Sequence, residues 1–321
     1  MKLIIQIPCY NEAETLPVTL RSLPRTVSGF DIVEWLVIND GSRDDTVNIA
    51  QTMGADHIVS FPKRQGLARA FMAGINRALA EGADVIVNTD ADNQYCADDI
   101  ASLVAPILQG NASFVIGERP IATIQHFSFF KKLLQKIGSW VVRTVSSTEI
   151  PDAPSGFRAM SRACAEQLNV FSDYTYTLET IIQAGQKGMA VTSVPIRVNS
   201  ELRKSRLIKS VPAYIMRSAI TILRIFVVYQ PFKFFMTIGI VLICMGLGLC
   251  LRFLYFYFIS TGEGHVQSLI LASIFLGMGF QTCLIAFIAD LLSVNRKLLE
   301  LIKINNERRN TQVSCSGKAT R

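Results

Sequence analysis

Val85-Ile-Val-Asn-Thr-Asp90-Ala-Asp92-Asn-Gln94-Tyr95 is the stretch from which the fold of this chain can be read outward. Val85 to Thr89 is short, uninterrupted and rich in β-branched side chains, which predicts a buried parallel strand. The strand delivers two carboxylates, Asp90 and Asp92, at its carboxyl end, where ligands of open α/β sheets bind. Residues i and i+2 of an extended chain point to one side. Both acids, with Gln94 as a third oxygen donor, therefore converge on one hard divalent cation, Mg²⁺ or Mn²⁺, able to hold a diphosphate. Taken alone, an Asp-X-Asp is more often a polar loop, here one capping the helix that begins near Asp98.

The same pattern of strand, acid and helix repeats on both sides of this stretch. Lys2 to Pro8 predicts a first strand, ended by its proline, with Asn11 capping a helix that carries Leu16, Leu20 and Leu23. Glu34 to Asn39 predicts a second strand running into Asp40-Gly41-Ser42, then a helix through Met53. Ile58–Phe61 and Phe114–Gly117 read as further strands, Gly66–Glu81 and Asp99–Leu108 as helices, and Glu118-Arg119 follows the fifth strand. Strands and helices alternating at this length imply a Rossmann-like α/β domain with a mostly parallel sheet covered on both faces. Beyond Arg119 the pattern loosens into a helical stretch, 129–145, bearing Lys131, Lys132, Lys136 and Arg143. A turn-rich loop, Asp152-Ala-Pro-Ser155-Gly156-Phe157-Arg158, comes next, then a helix near 176–187 and a strand 191–198.

Composition separates this domain from the remainder of the chain. Of 321 residues, 50% are hydrophobic and 18% charged, with mean hydropathy +0.33, and the apolar excess is concentrated between Phe232 and Leu292. Phe234–Leu251 and Leu269–Leu292 are each long enough to span a bilayer, since a crossing takes about 20 apolar residues. Between 204 and 229, apolar positions alternate with Lys209, Arg217 and Arg224 as in a helix lying in the membrane interface. The turn around Glu263 carries no Lys or Arg, whereas both outer flanks do, so the positive-inside rule puts both termini in the cytoplasm. The net charge of +7 sits largely beside the apolar segments rather than among interleaved aromatics, which favours anionic lipid over nucleic acid. Seven cysteines without CxxC spacing argue against zinc and a disulfide framework, and the apolar start is too short for a cleaved leader.

Pro8-Cys-Tyr10-Asn11-Glu12, Val37-Ile-Asn-Asp40-Gly41-Ser42, Asp90-Ala-Asp92-Asn-Gln94, Gly117-Glu-Arg119 and Ser155-Gly156-Phe157-Arg158 come in an order that resembles family 2 glycosyltransferases. More narrowly, the chain resembles the dolichol-phosphate mannose synthase group and the bacterial polyisoprenyl-phosphate glycosyltransferases with two membrane helices. The resemblance implies a GT-A type domain at 1–203, an amphipathic juxtamembrane helix at 204–231, a transmembrane hairpin at 232–292 and a basic cytoplasmic tail at 293–321. It also implies that Pro8, Tyr10, Asn11, Glu12 and Asp40 hold the nucleotide of a UDP- or GDP-hexose, and that Asp90, Asp92 and Gln94 surround the metal and diphosphate. Arg119, Ser155, Arg158 and Lys131 or Lys132 would lie near the acceptor phosphate. Arg203 and Arg206 would close over the donor, although the family more often shows a glycine and a Ser-Lys pair there.

The implied chemistry is transfer of a hexose from a nucleotide-sugar to a polyisoprenyl phosphate with inversion. An ionised phosphate needs no strong general base, so His57, His126 and His265 need carry nothing, and Asp152 reads better as a turn residue. The harder task, stabilising the leaving diphosphate, falls to metal and arginines. A polysaccharide-extending synthase of the same fold is disfavoured, because neither Trp35 nor Trp140 follows an arginine. A catalytically silent nucleotide-sugar-binding scaffold would have lost the metal acids. Gly239, Gly246, Gly248, Gly277 and Gly279 would let paired hairpins pack closely, which leaves room for a homo-oligomer.

Overall fold

A computed structural model describes residues 1–120, 143, 146, 148–170, 176–200, 220, 223–224, 227–259 and 266–316. Seven strands form one sheet: β1 (Lys2–Cys9), β2 (Ile32–Asn39), β3 (His57–Ser60), β4 (Val85–Asn88), β5 (Phe114–Glu118), β6 (Arg158–Ser161) and β7 (Val191–Pro195). Their order is β3-β2-β1-β4-β6-β5-β7. All neighbours run parallel except β6, which pairs antiparallel with both β4 and β5. The turn-rich reading of 152–158 did not foresee this strand. The expected proline stop is also displaced, because Pro8 lies inside β1, paired in register with Ile38. The β4 ladder ends at Gln6↔Asn88, so Pro8 lies beyond it on that side.

Both faces of the sheet are covered. On one face the odd residues of β1 (Leu3, Ile5, Ile7, Cys9), with Val37, Val85, Val87 and Val115, pack against Leu16 and Leu20 of α1 (Leu16–Ser22), Ala50 of α2 (Thr46–Thr52) and Ile100, Leu103 and Val104 of α4 (Ile100–Leu108). On the other, α3 (Leu67–Ala80) lies over β1 and β2 and buries Phe71 and Ile75. Short α5 (Arg162–Ala165) and longer α6 (Thr177–Gln186) complete the domain. Asn11 does not cap α1: Thr15 holds that position, and Asn11 sits at φ 54° in the loop before it. Asp99 closes a 3₁₀ turn (Ala97–Asp99) before α4, and its carboxylate takes Arg197 N at 2.6 Å and Arg197 Nη2 at 2.7 Å.

The chain divides into two compact units, Met1–Ser218 and Ala219–Arg321. The second is a helical hairpin of α7 (Pro231–Ile259) and α8 (Val266–Ser316). Pro231 opens α7, where the missing N–H removes no helical bond. The segments Pro231–Ile259 and Val266–Arg296 are long and apolar enough to cross a membrane, and only 11% and 17% of their most apolar windows are buried, unlike a core helix. Leu251, Phe258, Ile259, Phe280, Leu291 and Leu292 are more than 60% exposed, so this surface needs a covering medium other than water. The two helices meet tightly: a Cβ at Gly239 would stand 3.1 Å from the Gly279 carbonyl oxygen. Beyond Arg296 the helix continues for another 20 residues to Ser316, about 30 Å at 1.5 Å per residue. The helical stretch expected at 129–145, apart from a single helical position at 143, and most of the interfacial stretch 204–229 lie outside the described residues.

Candidate active site

The strand β4 ends at Asn88, and the chain passes through Thr89 into the loop that carries both acids. This loop is held from two sides. The Ala91 carbonyl accepts Thr19 Oγ1 of α1 at 2.9 Å, and the carbonyls of Asn93 and Gln94 accept Asn199 Nδ2 at 3.0 Å and Asn199 N at 2.8 Å. Asn93 takes a left-handed φ of 54°, a conformation asparagine tolerates better than most residues, and Gln94 N donates to Asp92 Oδ1 at 3.1 Å. Asp90 and Asp92 are both half-buried and close enough to repel. Desolvation, then the Asp92 charge, push the Asp90 carboxyl up to about 7. Two carboxylates under mutual strain, with an amide oxygen beside them in sequence, are a donor set fitted to a hard divalent cation. No third acidic, histidine or cysteine side chain joins them among the described residues, so a bound diphosphate would have to complete such a shell.

The residues expected to hold the nucleotide come together at the ends of β1 and β2. Asp40 N donates to the Cys9 carbonyl at 2.8 Å, Asn11 N to Ser42 Oγ at 2.9 Å, and Arg43 N to Asn11 Oδ1 at 2.8 Å. Glu12 N donates to Thr46 Oγ1 at 3.0 Å, and Glu12 Oε2 accepts Thr15 Oγ1 at 2.7 Å. Tyr10 is half-buried, with the Arg64 guanidinium 4.3 Å from its ring centroid. Pro8 is buried in the strand itself. Asp40 is 4% exposed, and its carboxylate accepts the amides of Gln65 (2.6 Å) and Gly66 (2.9 Å). It thus fastens the loop that leads into α3.

Arg119 lies at the end of β5 and is gripped by Asp152. Nε donates to Oδ2 at 2.7 Å and Nη2 to Oδ1 at 2.9 Å, a bidentate pair with Asp152 fully buried and the Arg119 side chain 11% exposed. Ser155 is buried, and its hydroxyl has no hydrogen-bond partner among the described residues. Arg158 is where expectation and structure part. It is fully buried, and its guanidinium donates to the carbonyls of Ala153 (2.7 Å), Ser155 (2.6 Å) and Thr177 (2.7 Å) and to Thr180 Oγ1 (2.7 Å). Burial lowers its pKa to about 10. With four of its five N–H groups engaged by the 153–155 loop and α6 and no exposed surface, it fixes that loop instead of reaching a phosphate. Lys131, Lys132, Arg203 and Arg206 lie outside the described residues.

A buried polar chain beneath the acids was not anticipated. Gln6 Nε2 donates to Asn88 Oδ1 at 2.9 Å, and Asn88 Nδ2 donates to the Gly156 carbonyl at 2.8 Å and Tyr176 Oη at 3.0 Å. The Tyr176 ring stacks on Phe71 with centroids 3.9 Å apart. In sequence, the one signal was polar Gln6 and Asn88 inside otherwise apolar strands, at positions the sheet register pairs.

A mostly parallel sheet with an Asp-X-Asp at the carboxyl end of its central β4, beside the knitted loops of β1 and β2, defines a GT-A type glycosyltransferase domain. The profile of glycosyl transferase family 2 matches residues 4–168, and the chain belongs to that family. An undecaprenyl-phosphate mannosyltransferase of Micrococcus luteus is 28% identical over 218 residues, spanning 64% of this chain and 88% of that protein. A polyprenol monophosphomannose synthase of Mycolicibacterium smegmatis is 28% identical over 204 residues, 60% of this chain and 76% of that one. Among solved structures, glucosyl-3-phosphoglycerate synthase of Mycobacterium tuberculosis, in complex with Mn²⁺, UDP and glucosyl-3-phosphoglycerate, superposes with a TM-score of 0.55. It is 21% identical, over 70% of this chain and 78% of that chain, which is a likeness of fold.

Proposed function

We propose that this protein is an integral membrane glycosyltransferase that moves a hexose from a UDP- or GDP-hexose to a polyisoprenyl phosphate, inverting the anomeric centre. The observation that carries the reading is the pair Asp90–Asp92 just past the carboxyl end of β4, in a chain that also bears two membrane-length apolar helices. The activities of the Micrococcus and Mycolicibacterium relatives support the acceptor class.

In this reading Asp90, Asp92 and Gln94 hold a Mg²⁺ or Mn²⁺ ion, which when bound neutralises charge on the departing nucleoside diphosphate. Tyr10, Asn11, Glu12 and the loop fastened by Asp40 line the nucleotide. The acceptor phosphate oxygen forms the new bond to the anomeric carbon while the bond from that carbon to the diphosphate oxygen breaks, so an α-linked donor gives a β-linked product. No proton has to be removed from an ionised phosphate. Asp152, with both oxygens engaged by Arg119, is accordingly an anchor for that arginine and not a base. Arg119 orients the acceptor phosphate, joined by Lys131 or Lys132, and Arg203 and Arg206 close on the donor. The apolar helices confine the enzyme to the bilayer that confines such an acceptor, replacing a three-dimensional search by a two-dimensional one. Both termini face the cytoplasm, as the basic flanks favour.

The test is direct. Purified protein is incubated with Mg²⁺, undecaprenyl phosphate and a panel of labelled nucleotide-sugars, and label is followed into the lipid fraction. Transfer from one donor, abolished by chelator, is the expected result. Absence of transfer from every donor to every polyisoprenyl phosphate tried would overturn the assignment.

A further inference from the structure

Asp90 is steadied by more than its own strand. The Gly156 amide donates to Tyr95 Oη at 3.0 Å, and the Asp90 carboxylate lies against the same glycine, which makes phenol and carboxylate neighbours. Gly156 crowds the same carboxylate, since a Cβ there would stand 2.9 and 3.0 Å from its two oxygens. The phenol has little freedom. Tyr95 is 4% exposed, and its ring stacks on Phe157 with centroids 5.1 Å apart and planes 7° from parallel. Its backbone bridges to Val198, and its carbonyl accepts Asn199 Nδ2 at 3.2 Å. Because the oxygen accepts from Gly156, its single proton is free for the neighbouring carboxylate.

The far side of Gly156 is equally fixed. The loop 152–156 begins at Asp152, which grips Arg119, and Arg158 fastens its carbonyls at 153 and 155. We infer that Tyr95 is a positioning residue: its hydroxyl holds the Asp90 carboxylate in the orientation that receives the divalent cation, and through Gly156 it keeps that carboxylate in register with Arg119. This inference rests on the metal-dependent function proposed for the site. Groups that orient metal ligands in this way typically change metal affinity about 10- to 100-fold when removed.

Mn²⁺ binding to the full-length protein in detergent, with UDP or GDP present, is measured by the loss of the free-ion electron paramagnetic resonance signal. Tyr95→Phe keeps the ring and its stacking and deletes only the hydroxyl. It is expected to weaken Mn²⁺ about 10-fold or more and to alter the bound-ion line shape, while the melting temperature without metal stays close to that of the unmodified protein. A loss of packing alone would lower the melting temperature and leave the line shape unchanged. Gly156→Ala keeps the Tyr95 hydroxyl and pushes on the Asp90 carboxylate from the shared glycine; it is expected to weaken Mn²⁺ similarly, and it carries the test if Tyr95→Phe does not fold. Wild-type Mn²⁺ affinity in Tyr95→Phe, or in Gly156→Ala where that variant stands in, overturns the inference and leaves the metal reading intact. Failure of the unmodified protein to bind Mn²⁺ with either nucleotide overturns both.

Discussion

Two aspartates on opposite sides of one loop meet opposite fates. Asp152 is fully buried yet fully paired, because Arg119 supplies a bidentate counter-charge on the spot. Asp90 has Asp92 beside it, and burial and that repulsion lift its carboxyl to about 7. The chain could have neutralised both with arginines and did so for only one. Where the protein completes a charge pair itself, the pair serves architecture. Where it leaves like charges facing, it leaves a place for a cation from outside.

Changes that swap the two situations test this contrast. Asp152→Asn strands a buried guanidinium, and breaking a buried pair from one side costs about 3–5 kcal/mol. Thermal unfolding should show a large drop, with Arg119 function lost as well. Asp92→Asn should leave the fold intact while removing charge stabilisation from the reaction, lowering transfer of labelled sugar to lipid by about 100- to 1,000-fold. Full activity in that variant would refute the metal assignment.

Asp90→Asn sharpens the contrast through pH. The folded carboxyl titrates near 7, above its ordinary value of 3.8, so its contribution to stability is complete below that ordinary value and is lost as pH rises through about 7. In chelator, wild type should therefore lose ground to Asp90→Asn between about pH 4 and 7 and change little above that, read as melting temperatures at each pH. The smallest effect belongs to Glu34, which is held below its ordinary pKa: burial works to raise it, but Lys2 Nζ and His57 Nε2, each at 2.7 Å, outweigh burial. That contribution is present above pH about 4.5 and lost on acidification through the lowered value. Glu34→Gln should destabilise by ~1 kcal/mol or less at neutral pH, with the difference closing in acid.

Most of the sheet was legible because its parallel strands are apolar, largely β-branched runs, three of which, β2, β4 and β5, lead into an acid. The strand β6 was not, since Arg158-Ala-Met-Ser has neither alternation nor a β-branched residue, and its burial comes from neighbours far off in sequence. Arg158 misled for a related reason. An arginine closing a glycine-containing loop looks like an anion ligand until four acceptors from two segments are seen around it. Asn11 was read as a cap because asparagine suits caps, but it suits left-handed φ equally, and only the β2 loop decides between them. Tyr95 carried no signal beyond closing the Asp-X-Asp stretch; the hydroxyl's errand depends on Gly156, 61 residues away. The acids themselves were visible, since spacing along one strand end is local information.

The antiparallel run of β6 has a consequence for how such enzymes diversify. The chain leaves the sheet after Glu118, and Gly117 N is already bonded to the Phe157 carbonyl at 2.8 Å where it returns. Exit and re-entry are thus stitched together inside the sheet, as the two ends of a pocket share one seam. A change of length between Pro120 and Pro151 would leave either strand's register where it is, so that stretch can vary while Arg119, Asp152 and Gly156 keep their places.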